Sequence, residues 1–258
     1  MRVAPGGRTG SPSVAAHGAG PRAPVALPRL LVLTDRAATP RPLPDVVRAA
    51  VDGGARAVVL REKDLPDVER RRLADELRPL LEAVGGLLVL AGGALRAAPG
   101  AVDALHLAAA EPLPVPRPAL LGRSCHDAAE VRRARAEGCD WVSVSPVYLT
   151  ASKPGYGPAL GPSGLAELVR GAPPVYALGG IDPSRARECV DAGAHGVAVM
   201  GAVMRADHPA RLVAELLSSL PEPPGLPPAA LAEPATLAQP GAAPAGGYSE
   251  PGTAPRPA

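Results

Sequence analysis

The chain has 258 residues, with 27 Lys+Arg against 25 Asp+Glu and a formal net charge of +2. That near-balance excludes a strong general attraction to nucleic acid or to an anionic membrane surface. The absence of Phe and the single Trp argue against a base-stacking surface. No run approaches the ~18 apolar residues of a membrane span, and the N-terminus lacks the continuous apolar segment of a secretory signal. A cytoplasmic protein follows as the expectation. Cys125, Cys139 and Cys189 have no metal-ligand spacing, and the last two read as small core residues.

In chain order, residues 1–27 mix Gly, Pro, Ser, Ala and Arg without apolar periodicity and read as a disordered tail. Residues 28–220 carry the folded domain. Its strand candidates are 29–34, 56–61, 87–91, 104–107, 120–124, 140–145, 174–178 and 196–200, short runs apolar on both faces as in a covered parallel sheet. Helical patterns lie between them. Leu73, Leu77, Leu80, Leu81 and Val84 recur at spacings of three and four, with Arg70, Arg71, Arg72 and Glu76 facing elsewhere; Pro79 predicts a kink or an early end. Val213, Leu216, Leu217 and Leu220 form a similar stripe. The pieces 52–55, 137–140 and 191–194 each close a helix with glycine just before a strand. The helices after strands three and four are expected to be short or absent, because 92–103 and 108–119 are rich in Gly, Ala and Pro. Residues 221–258, rich in Pro, Ala and Gly, read as a second disordered tail. Eight βα units predict a (β/α)8 TIM barrel, with its chemistry at the C-terminal strand ends.

Those ends carry the polar residues. Gly179-Gly180-Ile181, before the helix start Asp182-Pro183-Ser184, and Met200-Gly201-Ala202 offer backbone N–H groups to a phosphate; simple tight turns are the alternative. Thr150, Ser152 and Lys153 lie in a long loop (150–161) suited to closing over such an anion, or to lying solvated at the surface. Arg61 and Lys63 fall on one side of strand two, with Glu62 between them pointing the other way, which suits one anionic ligand; an exposed ion pair is the alternative. His126 follows the Ser124-Cys125 strand end and precedes Asp127, an N-cap for 128–137. Imidazole titrates near neutral pH, so His126 at this rim is the candidate for proton transfer. His106, in A-L-H-L, is secondary because its facing is ambiguous. His195 enters strand eight at the opposite end.

With L-V-L-T-D-R (31–36), L-R-E-K-D (60–64), V-D-A-L-H-L (102–107), L-G-R-S-C-H (121–126), S-P-V-Y-L-T-A-S-K (145–153), A-L-G-G-I (177–181) and H-G-V-A-V-M-G-A-V (195–203), the chain resembles the thiamine phosphate synthase/TenI superfamily from about Leu31 to Leu220. The resemblance implies one of two reactions. A synthase joins a pyrimidine pyrophosphate to a thiazole phosphate, with magnesium on the leaving group. A TenI-type tautomerase aromatises a thiazole phosphate carboxylate through a histidine, without a metal. The synthase pattern has Gln where this chain has Val59, Asn-Asp-Arg where it has Ala91-Gly92-Gly93, and Leu-Gly-Gln-x-Asp where it has Leu107-Ala108-Ala109-Ala110-Glu111. Glu111 is then the one carboxylate left for magnesium. The thiazole-phosphate half remains, through Ser124, Thr150, Ser152, Lys153, Gly179, Gly180, Met200 and Gly201, although Gly201 stands where the family often has serine. The G-R-S-x-H form looks like TenI.

The resemblance therefore implies, first, a metal-independent thiazole tautomerase without cofactor, with His126 as acid/base and Arg61 and Lys63 on the carboxylate. A remodelled magnesium-dependent synthase is the second reading, and a non-catalytic phosphate-binding or regulatory paralogue the third. The implied partner is a small phosphorylated thiazole, with homo-oligomerisation left open.

Overall fold

The computed structural model describes residues 26–92, 104–150 and 157–221. The expected tails, apart from their inner edges, lie outside this set.

Eight strands form: β1 (Leu30–Leu33), β2 (Ala57–Leu60), β3 (Leu87–Ala91), β4 (Ala104–Leu107), β5 (Leu120–Cys125), β6 (Trp141–Val144), β7 (Val175–Leu178) and β8 (Gly196–Val199). Each pairs in parallel with its chain neighbour, and β8 pairs with β1 through Leu30↔Val197, so the barrel is closed. The helices are α1 (Leu43–Asp52), α2 (Asp67–Glu82), α3 (Ala128–Ala136), α4 (Gly161–Val169), α5 (Pro183–Asp191), α6 (Gly201–Met204) and α7 (Pro209–Ser219). No helix interrupts residues 108–119, as their composition predicts; most of the β3–β4 connection lies outside the described residues. No described helix is long and apolar enough to cross a membrane.

Strand alternation divides the core into two shells. Outward residues such as Leu30, Val32, Val58, Leu60, Leu121 and Val142 pack beneath the helices. Inward residues such as Leu31, Leu33, Ala57, Val59, Trp141 and Tyr176 fill the barrel. Gly54, Gly138 and Gly193 hold φ values of 105°, 68° and 99° just past α1, α3 and α5, a left-handed conformation that glycine adopts without a Cβ clash.

Two expectations for α2 are corrected. The helix runs on to Glu82 through Pro79, which is exposed, so the carbonyl it leaves without an N–H donor can face water. Arg70 is buried rather than outward: its Nη1 donates to the Ala91 carbonyl at 3.2 Å and its Nη2 meets Asp67 Oδ1 at 2.5 Å. These partners compensate a guanidinium that periodicity alone assigns to solvent. At the other end of the barrel, His195 Nε2 donates to the Leu27 carbonyl at 3.0 Å, and the Tyr176 hydroxyl donates to the Pro28 carbonyl. His195 thus ties down the chain entering β1, at the end away from the strand C-termini.

The widest inward side chain needs a gap in the next strand. Trp141 and Gly122 are register partners across β5 and β6. A Cβ at Gly122 would lie 2.1 Å from the indole Cε2. The ring is buried on every side and cannot retreat, so Gly122→Ala overpacks the barrel. It should lower unfolding stability by about 1–3 kcal/mol, read as an earlier urea midpoint at unchanged slope.

Candidate active site

Closure brings the C-terminal strand ends to one rim, where they surround a cavity of about 300 Å³. Its lining includes Arg61, Lys63, His106, Ser124, His126, Thr150, Gly179, Gly180, Met200 and Gly201. The expected site residues are therefore brought together, with the exception of Ser152 and Lys153, which lie outside the described residues.

The strand-seven turn is shaped as an anion nest. Gly179 and Gly180 hold φ values of 104° and 65°. The Gly179 carbonyl accepts from the Tyr148 N–H at 3.1 Å, and the Gly180 carbonyl accepts from Arg185 Nη1 at 2.7 Å. Neither Tyr148 nor Arg185 belongs to the cavity wall, whereas Gly179, Gly180 and Ile181 do. In a trans peptide the N–H points opposite to the C=O. The N–H groups of Gly180 and Ile181 are thus turned towards the cavity, a concave pair of donors for an anion. The Arg185 guanidinium also stacks 4.8 Å from the Tyr148 ring centroid, and the Tyr148 hydroxyl donates to Glu188 Oε2 at 2.6 Å. Asp182 caps α5 as expected, accepting from the Arg185 N–H at 3.0 Å.

His126 is held at both its main chain and its ring. Asp127 caps α3 by accepting from the Glu130 N–H at 2.8 Å, and Glu130 reaches back to accept from the His126 N–H at 2.6 Å. The ring Nδ1 lies 2.7 Å from the Ser145 carbonyl oxygen. A carbonyl only accepts, so Nδ1 carries the proton and Nε2 is the basic nitrogen of the neutral ring. His106 has the opposite arrangement, accepting at Nδ1 from the Trp141 indole N–H at 3.2 Å. Burial, with the Lys63 and Arg123 charges adding to it, pushes its pKa down to about 4.

Arg61 and Lys63 share the cavity, and Glu62 turns away to accept from the Arg36 N–H with both oxygens at 3.2 Å. The strand itself ends at Leu60. The Thr34 hydroxyl fixes the following residue by accepting from the Arg61 N–H at 2.9 Å. Arg61 Nη1 approaches Met200 Sδ at 3.6 Å. Outside the cavity, buried Arg123 donates to the carbonyls of Ala108, Ala109 and Glu111 and pairs with Glu137 at 2.7 Å, holding the loop after β4. Cys125 is buried, and burial raises its thiol to about 12, so it is no nucleophile.

Several cavity residues escaped the reading of the sequence. Ser143 has a signal there, since alternation in Asp140–Ser145 sets Trp141, Ser143 and Ser145 on one face. Arg205, exposed and lining the cavity just past α6, has none. Leu149, 71% exposed on the same wall, has none either.

The fold is a closed (β/α)8 barrel whose rim sets the Gly179–Gly180 turn after β7 and the pinned His126 after β5 around one cavity. The thiamine monophosphate synthase family model matches residues 30–203, and the chain belongs to that family. A putative thiamine-phosphate synthase of Geobacter sulfurreducens is 37% identical over 200 residues, which are 74% of this chain and 94% of that protein. The thiamine biosynthesis bifunctional protein ThiM/ThiE of Symbiobacterium thermophilum is 36% identical over 185 residues, 69% of this chain; the match spans 38% of that longer relative. Among solved structures, the thiamine phosphate pyrophosphorylase of Pyrococcus furiosus superposes with a TM-score of 0.65 at 29% identity, covering 74% of this chain and 94% of the other. The names of these relatives favour the synthase reaction over the tautomerase expected first.

The synthase reaction implies magnesium, which prefers oxygen ligands in an octahedron, commonly one or two carboxylates with substrate phosphates. Glu111 is the one carboxylate in the described cavity wall, and its Oε2 accepts from the Ala108 N–H at 2.7 Å. At the end of β3 stands Gly92, with no side chain. A Cβ there would meet Glu111 Oε1 at 3.5 Å and the Arg70 guanidinium at 3.7 Å. No cluster of three or more His, Cys, Asp or Glu able to hold a metal occurs among the described residues. Among the described residues the wall thus offers magnesium one carboxylate, so its other oxygen ligands would have to come from substrate phosphates and water.

Two outcomes follow. Arg185→Ala frees the Gly180 carbonyl and should weaken binding of inorganic phosphate about tenfold by calorimetry, with Arg185→Lys intermediate. The second concerns acid stability. His106 titrates lower in the folded state than in the unfolded chain, so the unfolded state takes up the proton first. Its stabilising contribution is complete above about pH 6.5 and is lost as pH falls towards 4. His195, also lowered, acts in the same direction. Urea midpoints should therefore fall across this window in the wild type and fall less in His106→Gln.

Proposed function

We propose that this barrel is a thiamine-biosynthesis enzyme that binds a thiazole phosphate, with the phosphate at the Gly180–Ile181 nest and the Met200–Gly201 turn. Its reaction is the metal-independent proton shift that aromatises the ring. The observation that carries this reading is the Ser145 carbonyl on His126 Nδ1, which leaves Nε2 as the base at the cavity wall. In the proposed step, His126 Nε2 takes a proton from a ring carbon of the non-aromatic precursor. The imidazolium then returns it to another atom of the conjugated system. No electrons leave the substrate and no group is lost. The Ser145 carbonyl, still accepting from Nδ1–H, stabilises the imidazolium while it lasts. Arg61 and Lys63 supply positive charge for the ring carboxylate, with Ser124 beside them. Thr150, on the cavity wall, serves the phosphate side. Gain of aromaticity drives the reaction, so one positioned base suffices.

The relatives' names support a second reading, a thiamine phosphate synthase acting on the same thiazole phosphate. Against it stands the described part of the cavity wall, where Glu111 is the one carboxylate.

One experiment separates the two. The purified protein is given the non-aromatic thiazole phosphate carboxylate alone, and separately the aromatic thiazole phosphate with pyrimidine pyrophosphate, each with and without magnesium. The wild type should aromatise the first substrate without metal, and His126→Ala should lose about 10²–10⁴-fold in rate while still binding phosphate. Magnesium-dependent formation of thiamine phosphate, or equal aromatisation by His126→Ala, would overturn the proton-shift reading.

A further inference from the structure

His106 takes no part in the proton transfer assigned to His126, yet its buried partners fix its chemistry. The Trp141 indole nitrogen lies 3.2 Å from His106 Nδ1 and can only donate, so Nδ1 is the acceptor of the ring. The neutral ring therefore carries its proton on Nε2. That nitrogen sits 3.1 Å from Ser124 Oγ and 3.0 Å from Ser143 Oγ. A protonated Nε2 has no lone pair to offer, so neither serine can donate to it. Both hydroxyls keep their own protons for some other acceptor.

The fold puts these groups on one wall. Ser124 and Ser143 are register partners across β5 and β6, and both face the cavity. Lys63 lines the same cavity and stands close enough for its charge to act on His106. Two hydroxyl donors and an ammonium form a surface that suits an anion with more than one oxygen. The nest after β7 already serves the phosphate. A second anionic group on the same ligand, a carboxylate, matches the donors that remain.

We propose that Trp141 and His106 form a tautomer lock that converts Ser124 and Ser143 into hydrogen-bond donors for a ring carboxylate of the ligand. Ser124 and Ser143 are its binding residues; His106 and Trp141 are positioning residues. Gly122 is part of the device, because only an absent side chain lets the indole lie across β5 to reach Nδ1. The ligand assignment rests on the thiazole phosphate reading, whereas the lock itself does not.

The test has two arms. In ¹⁵N–¹H spectra of the wild type, with His106 assigned by its loss in His106→Gln, Nδ1 should show the shift of an unprotonated nitrogen and Nε2 that of a protonated one. Trp141→Phe should mix the two tautomers. In calorimetry, aromatic thiazole phosphate is compared with and without its ring carboxylate. The wild type should prefer the carboxylate about tenfold, and both Ser143→Ala and Trp141→Phe should diminish that preference without changing affinity for the thiazole that lacks it. A proton on His106 Nδ1, or an undiminished preference in Ser143→Ala, overturns the proposal. If the wild type binds neither thiazole, the proposed function falls and takes the ligand assignment with it, while the spectrum still judges the lock.

Discussion

Closure of eight parallel strands is the constraint on which the rest depends. Because every strand runs the same way and β8 returns to β1, all eight C-terminal ends meet at one rim. Residues more than a hundred positions apart in the chain, Arg61 and Met200 among them, come within contact distance there. The same closure makes the interior a packed column in which each inward side chain must fit its register partners. Gly122 beside Trp141 is the sharpest instance, and its consequence runs outward from packing to chemistry. The indole that fills the gap also sets which nitrogen of His106 carries a proton.

The cavity thus holds two histidines made unlike by their neighbours. His126 has a carbonyl on Nδ1 and so has its basic nitrogen at Nε2; His106 has an indole donor on Nδ1 and so presents a proton at Nε2. One ring is arranged to accept a proton and the other to remain a neutral donor. The pairing follows from what each partner can physically do, since a carbonyl never donates and an indole nitrogen never accepts.

Much of this was legible in the sequence, for reasons that differ by residue. All eight strands stand within a residue or two of their expected bounds, because short runs apolar on both faces have few other places to go in a chain of this length. The caps Asp127 and Asp182 were legible because a side-chain acceptor one residue before a helix has a local job. Arg70 was not legible: helical periodicity marks it as polar, and only the neighbouring Ala91 carbonyl and Asp67 explain its burial. The facing of His106 in a four-residue strand could not be decided from alternation alone, and needed its register against Gly122. Arg185 carries no signal in the sequence, because its hold on the Gly180 carbonyl is a tertiary fact. The choice between two reactions was less legible still. Kinship points towards the synthase, while the described ends of β3 and β4 offer its metal one carboxylate, Glu111.

The central claim is that a thiazole phosphate lies with its phosphate at the strand-seven nest and its ring against His126. A crystal structure of the protein with aromatic thiazole phosphate carboxylate tests this most directly. Phosphate oxygens are expected on the N–H groups of Gly180 and Ile181, with a ring atom within hydrogen-bond or proton-transfer reach of His126 Nε2. A phosphate seated elsewhere, or a ring turned away from His126 towards a magnesium ion at Glu111, would contradict it.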